Sequence, residues 1–209
     1  MPGADYGSIS YWDERYAAAG DGLYDWYQEW ATLRPTLAKY LPSDKISCDI
    51  MIAGCGNSRL GADLYGEGYM NILNVDISSV VVSQMADRFK ELDQMSFLPM
   101  DARQMDEVGD HAFDVIVDKA LFDAQLCSDD NVLNVNALVK EMFRVLKPGG
   151  IYIIVSHGAP ETRMGYLDRP MNTQGASWTV TSVKIDKPVI PGLVEEGDNR
   201  SHFIYICQK

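Results

Sequence analysis

The sequence predicts one α/β domain built on a doubly wound, seven-stranded sheet, mostly parallel with one antiparallel strand. Three observations carry this expectation. Apolar runs of strand length alternate with helix-length stretches through the middle of the chain, the pattern of a parallel sheet covered on both faces. The first of these runs ends in a Gly-x-Gly turn, where an open sheet brings its backbone close to a ligand. Two further apolar runs near the C-terminal end have no helical pattern between them, which predicts a hairpin-like pair.

The elements follow in order. Residues 1–45 form a segment of separate character, with Tyr11, Trp12, Tyr16, Tyr24, Trp26, Tyr27 and Trp30 within twenty residues, and residues 46–209 form the sheet core. "CDIMIAG" is the first strand, and a helix begins near Ser58-Arg59. "NILNVDIS" is the second strand, and Ser78 caps the helix "SVVVSQMADRFKEL". "MSFLPMDA" is a third, short strand and "AFDVIVDKA" a fourth bounded by acids. "NVLNVNALVKEMFRVLKPGG" is an amphipathic helix with Leu133, Ala137, Leu138, Met142 and Leu146 on one face, stopped by Pro148-Gly149-Gly150. "IYIIVSH" is the fifth strand, and "SWTVTSVKI" and "SHFIYICQK" are the final pair.

At 209 residues, without an internal repeat or a low-complexity linker, residues 1–209 read as a single domain. No apolar run approaches the roughly 20 residues of a membrane span, and "MPGADYGSIS" lacks the regions of a signal peptide. Cys48, Cys55, Cys127 and Cys207 show no CxxC or metal-type spacing, so free thiols, a cytoplasmic location and no metal are expected. The net charge of −12 argues against a broad nucleic-acid interface, which needs a basic face. The same charge either steers a basic macromolecular substrate towards the protein or simply keeps it in solution.

The turn Gly54-Cys55-Gly56 departs from the G-x-G-x-x-G of dinucleotide sites, because position 59 is Arg and the next glycine is Gly61. The second strand ends in Asp76, 22 residues after Gly54, where a carboxylate accepts hydrogen bonds from ribose hydroxyls. The third strand runs into Met100-Asp101-Ala102. A carboxylate there accepts from an adenine amino group while Met100 covers the ring. Two acids suit a single adenosine better than a pyrophosphate, which their charge would repel. A cap or turn role for either acid alone stays open.

With those residues in place, the chain resembles the class I S-adenosylmethionine-dependent methyltransferases and their Rossmann-like sheet. "DIMIAGCGNS", "NVDIS", "PMDA", "FDVIVDKALFDA" and "RVLKPGG" carry the likeness over roughly residues 45–155. One departure is Ile52, which stands where many members have an acid. "YWDERY", "YDWY", "GCGNS", "SSVVV" and "DKALFDA" narrow the resemblance to the subgroup related to lysine methyltransferases of translation elongation factor 1-alpha, which also lacks that acid. The resemblance implies S-adenosyl-L-methionine as cofactor, S-adenosyl-L-homocysteine as product and a basic protein substrate. It implies an aromatic lid of Trp12, Tyr16 and Trp26, with Gly54, Asp76, Ile77, Asp101, Ala102 and Lys119 completing the pocket. Aromatic faces favour a sulfonium cation. Tyr11, Tyr24, Tyr27 and Trp30 are expected to fill a core beneath the lid helix.

On the acceptor side, Asp118, Phe122 and Asp123 are read as lining a channel for lysine, and His157 is the one histidine near the expected cleft. No N-P-P-Y motif follows the fourth strand, which disfavours amide or exocyclic base nitrogens as acceptors. Three alternatives stay open. A small-molecule methyltransferase would use "PETRMGYLDRPMNTQGAS" as its cap. A non-catalytic interaction module would keep only the fold, and a nicotinamide enzyme is disfavoured by Arg59 and Asp101.

Overall fold

The structure is a computed structural model, and it describes residues 6–128, 130–169, 175–188 and 200–209. Two helices come first, α1 (Ile9–Ala19) and α2 (Trp30–Leu37). The sheet then alternates with helices: β1 (Asp49–Ala53), α3 (Leu60–Gly66), β2 (Asn71–Asp76), α4 (Ser79–Arg88) and β3 (Met95–Pro99). It continues through β4 (Phe113–Lys119), α5 (Leu121–Leu126), α6 (Asn131–Val145), β5 (Leu146–Ser156), α7 (Pro160–Leu167), β6 (Thr179–Asp186) and β7 (Ser201–Gln208).

The strand order is β3-β2-β1-β4-β5-β7-β6. Strands β1 to β5 run parallel, β7 pairs antiparallel with β5, and β6 pairs antiparallel with β7. The fold expectation therefore holds, including the antiparallel strand supplied by the final pair. Alternate residues of the central strands feed two cores. Ile50, Ile52, Val115, Val117, Ile153 and Val155 pack beneath α2 and α3, while Met51, Ala53, Ile116, Tyr152 and Ile154 pack beneath α6. Both faces of the sheet are apolar because both are covered.

Local chemistry explains the helix starts. The Ser8 hydroxyl accepts from Tyr11 N at the start of α1, and that of Ser78 accepts from Val81 N at the start of α4. The helix after the glycine turn has no glycine at position 59, but Gly61 takes the close-packing role. A Cβ there would stand 2.5 Å from Asn74 Oδ1 on β2.

Three sequence expectations change. The buried face of α6 is Val135, Leu138, Val139, Met142 and Val145, whereas Leu133 is 69% exposed. The first turn of α6 overhangs the core, so its apolar residues lie outside the packed stripe. The helix ends at Val145 rather than at the Pro148 stop, because Leu146 already pairs with Phe113 before the register shifts. Helix α4 ends at Arg88, short of Leu92, with Phe89 in the non-helical cap.

Candidate functional site

The chain winds outward from β1 in both directions, so β1 and β4 flank the switch point where a ligand crevice opens. A cavity of about 280 Å³ lies there, and its floor is made of Ile52, Gly54, Cys55, Gly56, Asp76 and Ile77. Gly54 and Gly56 have φ of +64° and +51°, a left-handed backbone that suits glycine. A Cβ would meet Leu121 Cβ at 2.8 Å from Gly54, and the Tyr16 hydroxyl at 2.8 Å from Gly56. The turn thus offers bare backbone to the cavity.

Asp76 is buried at the end of β2. Its Oδ2 accepts from Gly56 N at 2.8 Å and its Oδ1 from Ser78 N at 3.0 Å. Burial raises its pKa above the usual carboxylate range, against the pull of those hydrogen bonds. The carboxylate therefore clamps the glycine turn as well as facing the cavity. Met100, Asp101, Ala102 and Arg103 form the next wall. The Arg103 guanidinium grips both Asp101 oxygens, with Nε at 2.9 and 3.1 Å. Burial pushes the Asp101 carboxyl up, but the hydrogen bonds and charge of Arg103 outweigh it and hold it below the usual range.

The N-terminal segment closes the cavity from above. Trp12, Tyr16 and Trp26 all line it, as the resemblance implies, and Trp12 stacks on Tyr16 at a centroid distance of 5.6 Å. Tyr6, Tyr24 and Tyr27 line it as well. Tyr24, 49% exposed, is therefore a cavity wall and not the core filling expected of it, whereas Tyr27 both lines the cavity and packs against the core; the chain between α1 and α2 carries the two over the opening. Trp30 does pack into the core beneath α2.

Lys119, at the end of β4, is buried and bound to this lid. Its Nζ donates to Asp25 Oδ1 at 2.6 Å and to Trp26 O at 3.2 Å, and Ser58 Oγ donates to the same Asp25 oxygen. Burial lowers the pKa of the ammonium, and Asp25 only partly restores it. Lys119 is thus a tether between sheet and lid.

Of the four acceptor-side candidates, Asp123 and His157 reach the cavity. Asp118 and Phe122 do not. Both are fully buried, with the Asp118 carboxylate accepting from Phe122 N and from Tyr152 Oη at 2.9 Å. They lie on the core side of the β4–α5 junction, where α5 turns its other face to the cavity. Burial raises Asp118 to about 7.

Asp123 collects five donors. His157 N, His157 Nδ1 and Tyr27 Oη reach Oδ2 at 3.0, 2.8 and 3.0 Å. Ser156 Oγ and Arg163 Nε reach Oδ1 at 2.7 and 3.0 Å. Burial opposes ionisation here, yet these partners hold the carboxyl down at about 2. Nothing local in the sequence marked Asp25 or Arg163 for such roles, since each contact joins segments far apart in the chain. The aromatic pair in "YDWY" was the one available signal for Tyr27.

The cavity suits a nucleoside carrying a cation. Its walls are largely aromatic, its acids stand at two strand ends, and Ile52 leaves one side apolar. The buried Oε1 of Gln125, on the cavity wall, has no hydrogen-bond donor among the described residues. A buried acceptor of that kind costs about 1–3 kcal/mol unless a ligand supplies an N–H or O–H. The amino groups and ribose of an adenosyl ligand carry such donors.

The likenesses to known proteins agree with this geometry. A family model described as a methyltransferase domain matches residues 44–189. The eEF1A lysine and N-terminal methyltransferase of Homo sapiens is 38% identical over 156 residues, which is 73% of this chain and 22% of that protein. The EEF1A lysine methyltransferase 4 of Mus musculus is 34% identical over 169 residues, which is 76% of this chain and 64% of that protein. The chain therefore spans less than two thirds of either curated relative. Two solved structures share the fold. An S-adenosylmethionine-dependent methyltransferase from Methanosarcina mazei superposes with a TM-score of 0.59 at 21% identity, over 84% of this chain and 97% of that one. A phosphoethanolamine N-methyltransferase of Haemonchus contortus, in complex with phosphoethanolamine and S-adenosylhomocysteine, reaches 0.68 at 14% identity, over 98% of this chain and 49% of that one. The chain belongs to the methyltransferase domain family.

Proposed function

We propose that the protein methylates the side-chain nitrogen of a lysine on a basic protein, with translation elongation factor 1-alpha as the reference acceptor. The observation that carries this reading is the company of groups at the acceptor end. Trp26 and Tyr27, with ring centroids 6.3 Å apart edge to face, line the cavity together with Asp123 and His157, and Asp123 binds both Tyr27 and His157. Aromatic faces beside a carboxylate suit an alkyl chain ending in an amine. The two relatives named for lysine methylation of eEF1A support the same acceptor.

In this reading Trp12, Tyr16 and Trp26 of the lid segment, residues 1–45, cover the cofactor on the core of residues 46–209. Gly54, Cys55 and Gly56 approach it with backbone, Asp76 and Ile77 take the ribose, and Met100, Asp101 and Ala102 take the adenine. Lys119 holds the lid down. When bound, the cofactor supplies an electrophilic methyl group, and the protein aligns the acceptor nitrogen with it and excludes water. Four free thiols support a reducing, cytoplasmic setting. Among the described residues no helix is long and apolar enough to cross a membrane. The small-molecule alternative rests on a cap at 160–177, of which residues 170–174 lie outside the described residues.

Mass spectrometry of extract proteins after incubation with isotopically labelled S-adenosylmethionine tests the reading. A labelled lysine on a protein is the expected result. Label found only in a small metabolite would overturn it.

A further inference from the structure

We propose that His157 is the base that removes the proton from the acceptor amine, and that Asp123 and Tyr27 fix the imidazole tautomer that lets it do so. The assignment rests on the amine acceptor proposed above. His157 follows β5, on the cavity wall, with its side chain 52% exposed. Its Nδ1 lies 2.8 Å from Asp123 Oδ2. With five donors around it, the Arg163 guanidinium among them, Asp123 has every reason to be a carboxylate. Nδ1 must then carry the hydrogen, because two lone pairs at that distance would repel.

The Tyr27 hydroxyl settles the rest. It lies 3.0 Å from both His157 Nδ1 and Asp123 Oδ2. A protonated Nδ1 accepts nothing, so Tyr27 donates to Asp123. In the neutral ring one arrangement satisfies all the groups at once, and it leaves Nε2 as a bare lone pair. Among the described residues Nε2 has no hydrogen-bond partner. Carboxylate, imidazole and a free ring nitrogen in this order are the general-base arrangement of many hydrolytic triads.

The neighbouring groups do not compete for the role. Tyr27 is a poor base because burial and Asp123 raise its hydroxyl above the usual range. Asp123 has its oxygens filled. Arg163 on α7 is a donor only, and Asp118 faces Phe122 and Tyr152 within the core. From β7, the His202 ring stacks on Tyr27 at 4.9 Å and Tyr205 donates to Gly158 O at 2.6 Å. Gly158 gives Arg163 its place, since a Cβ would stand 2.1 Å from the guanidinium carbon.

The step balances. An ammonium N–H bond breaks, its proton passes to Nε2, and the imidazolium forms beside the Asp123 carboxylate. The freed nitrogen lone pair forms the bond to the methyl carbon, and the carbon–sulfur electron pair stays on sulfur as a neutral thioether. The half-exposed ring then releases its proton to water. Desolvation and the cofactor's positive charge both lower the ammonium pKa, bringing it within reach of an imidazole.

The test has two readouts on the full chain. Nitrogen–proton correlation NMR of the imidazole, with S-adenosylhomocysteine bound, is expected to show the neutral His157 ring protonated on Nδ1 and bare on Nε2. In Asp123→Asn the proton is expected to shift to Nε2. An Nε2–H tautomer in the unmutated protein would overturn the assignment. The second readout is methylation of recombinant elongation factor 1-alpha. His157→Gln, a change at a half-exposed position, is expected to lower kcat about 10²–10⁴-fold without altering the dissociation constant for S-adenosylhomocysteine. The pH profile discriminates further. In the unmutated protein kcat/KM levels off before the lysine's own ionisation near 10.4, whereas in His157→Gln it keeps rising towards it. A variant with full kcat, or with an unchanged profile, sinks the proposal. If the unmutated protein methylates no amine, the acceptor reading falls by itself, and the Nδ1–H tautomer still upholds the dyad.

Discussion

Asp25→Ala removes the counter-charge of an ammonium that is almost entirely enclosed, since the Lys119 side chain is 4% exposed. Breaking one side of a buried pair costs about 3–5 kcal/mol when the charge stays. Lys119 has a cheaper exit, because it can fold without its proton. A lysine near 10.4 in the unfolded chain releases that proton for 1.36 kcal/mol per pH unit, which caps the charge penalty at roughly 4–5 kcal/mol at pH 7 and about 2 at pH 9. The lost Ser58 hydrogen bond adds about 1 kcal/mol at either pH. The sign follows from proton counting. A folded-state pKa lowered below the unfolded value makes the unfolded state bind more protons, so stability rises with pH in that window. Asp25→Ala should therefore destabilise by about 5–6 kcal/mol at pH 7 and about 3 at pH 9. Urea unfolding of the single variants and of Asp25→Ala/Lys119→Met at both pH values measures this. The double variant should recover about 2–3 kcal/mol at pH 7, since no buried charge remains. A cost that is equal at the two pH values, or a coupling below about 0.5 kcal/mol, would refute the buried tether.

Three further outcomes are expected. Asp76→Ala should weaken S-adenosylhomocysteine binding by at least about 1–3 kcal/mol in calorimetry, and unchanged binding would move the pocket elsewhere. Gly56→Ala should lower stability by about 1–2 kcal/mol through its positive φ and further through the Tyr16 hydroxyl. Gly20→Ala, with φ +56° and open space around it, supplies the backbone cost alone. Equal melting temperatures for the two variants would mean that Tyr16 does not press on the turn. For Asp118 the folded pKa of about 7 lies above the unfolded value, so its contribution is full below about pH 4 and is lost as pH rises through 7. Asp118→Asn should therefore flatten the stability profile between those limits by on the order of 4 kcal/mol; parallel profiles in urea titrations would show that Asp118 ionises normally.

The glycine-turn side of the cavity was legible in the sequence because its residues sit at strand ends. Gly54, Asp76 and Asp101 are placed by the alternation of strand and helix alone, and that alternation is a local pattern. The lid was half legible. An aromatic-rich stretch announces itself in composition, but Tyr24 and Tyr27 could not be told from core residues, because the chain between α1 and α2 follows no repeating period. The acceptor side was the least legible. Asp118 and Asp123 differ by five positions, one at the end of β4 and one in α5, yet Asp118 is sealed in the core and Asp123 faces the cavity. The direction in which α5 leaves the strand separates them.

The sequence by itself determined the seven-stranded sheet, its alternation of strands and helices, the closing antiparallel pair, and the glycine turn with its two acids. Those depend on periodicity, on glycine's freedom at positive φ and on acids at fixed spacing from a turn. Only the tertiary structure decided what Lys119, Asp123 and His157 do. Their roles come from partners 94, 96 and 130 residues away, Asp25 for the lysine and Tyr27 for the other two. A charge buried in folding takes its meaning from the group that faces it, and no local pattern records which group that is.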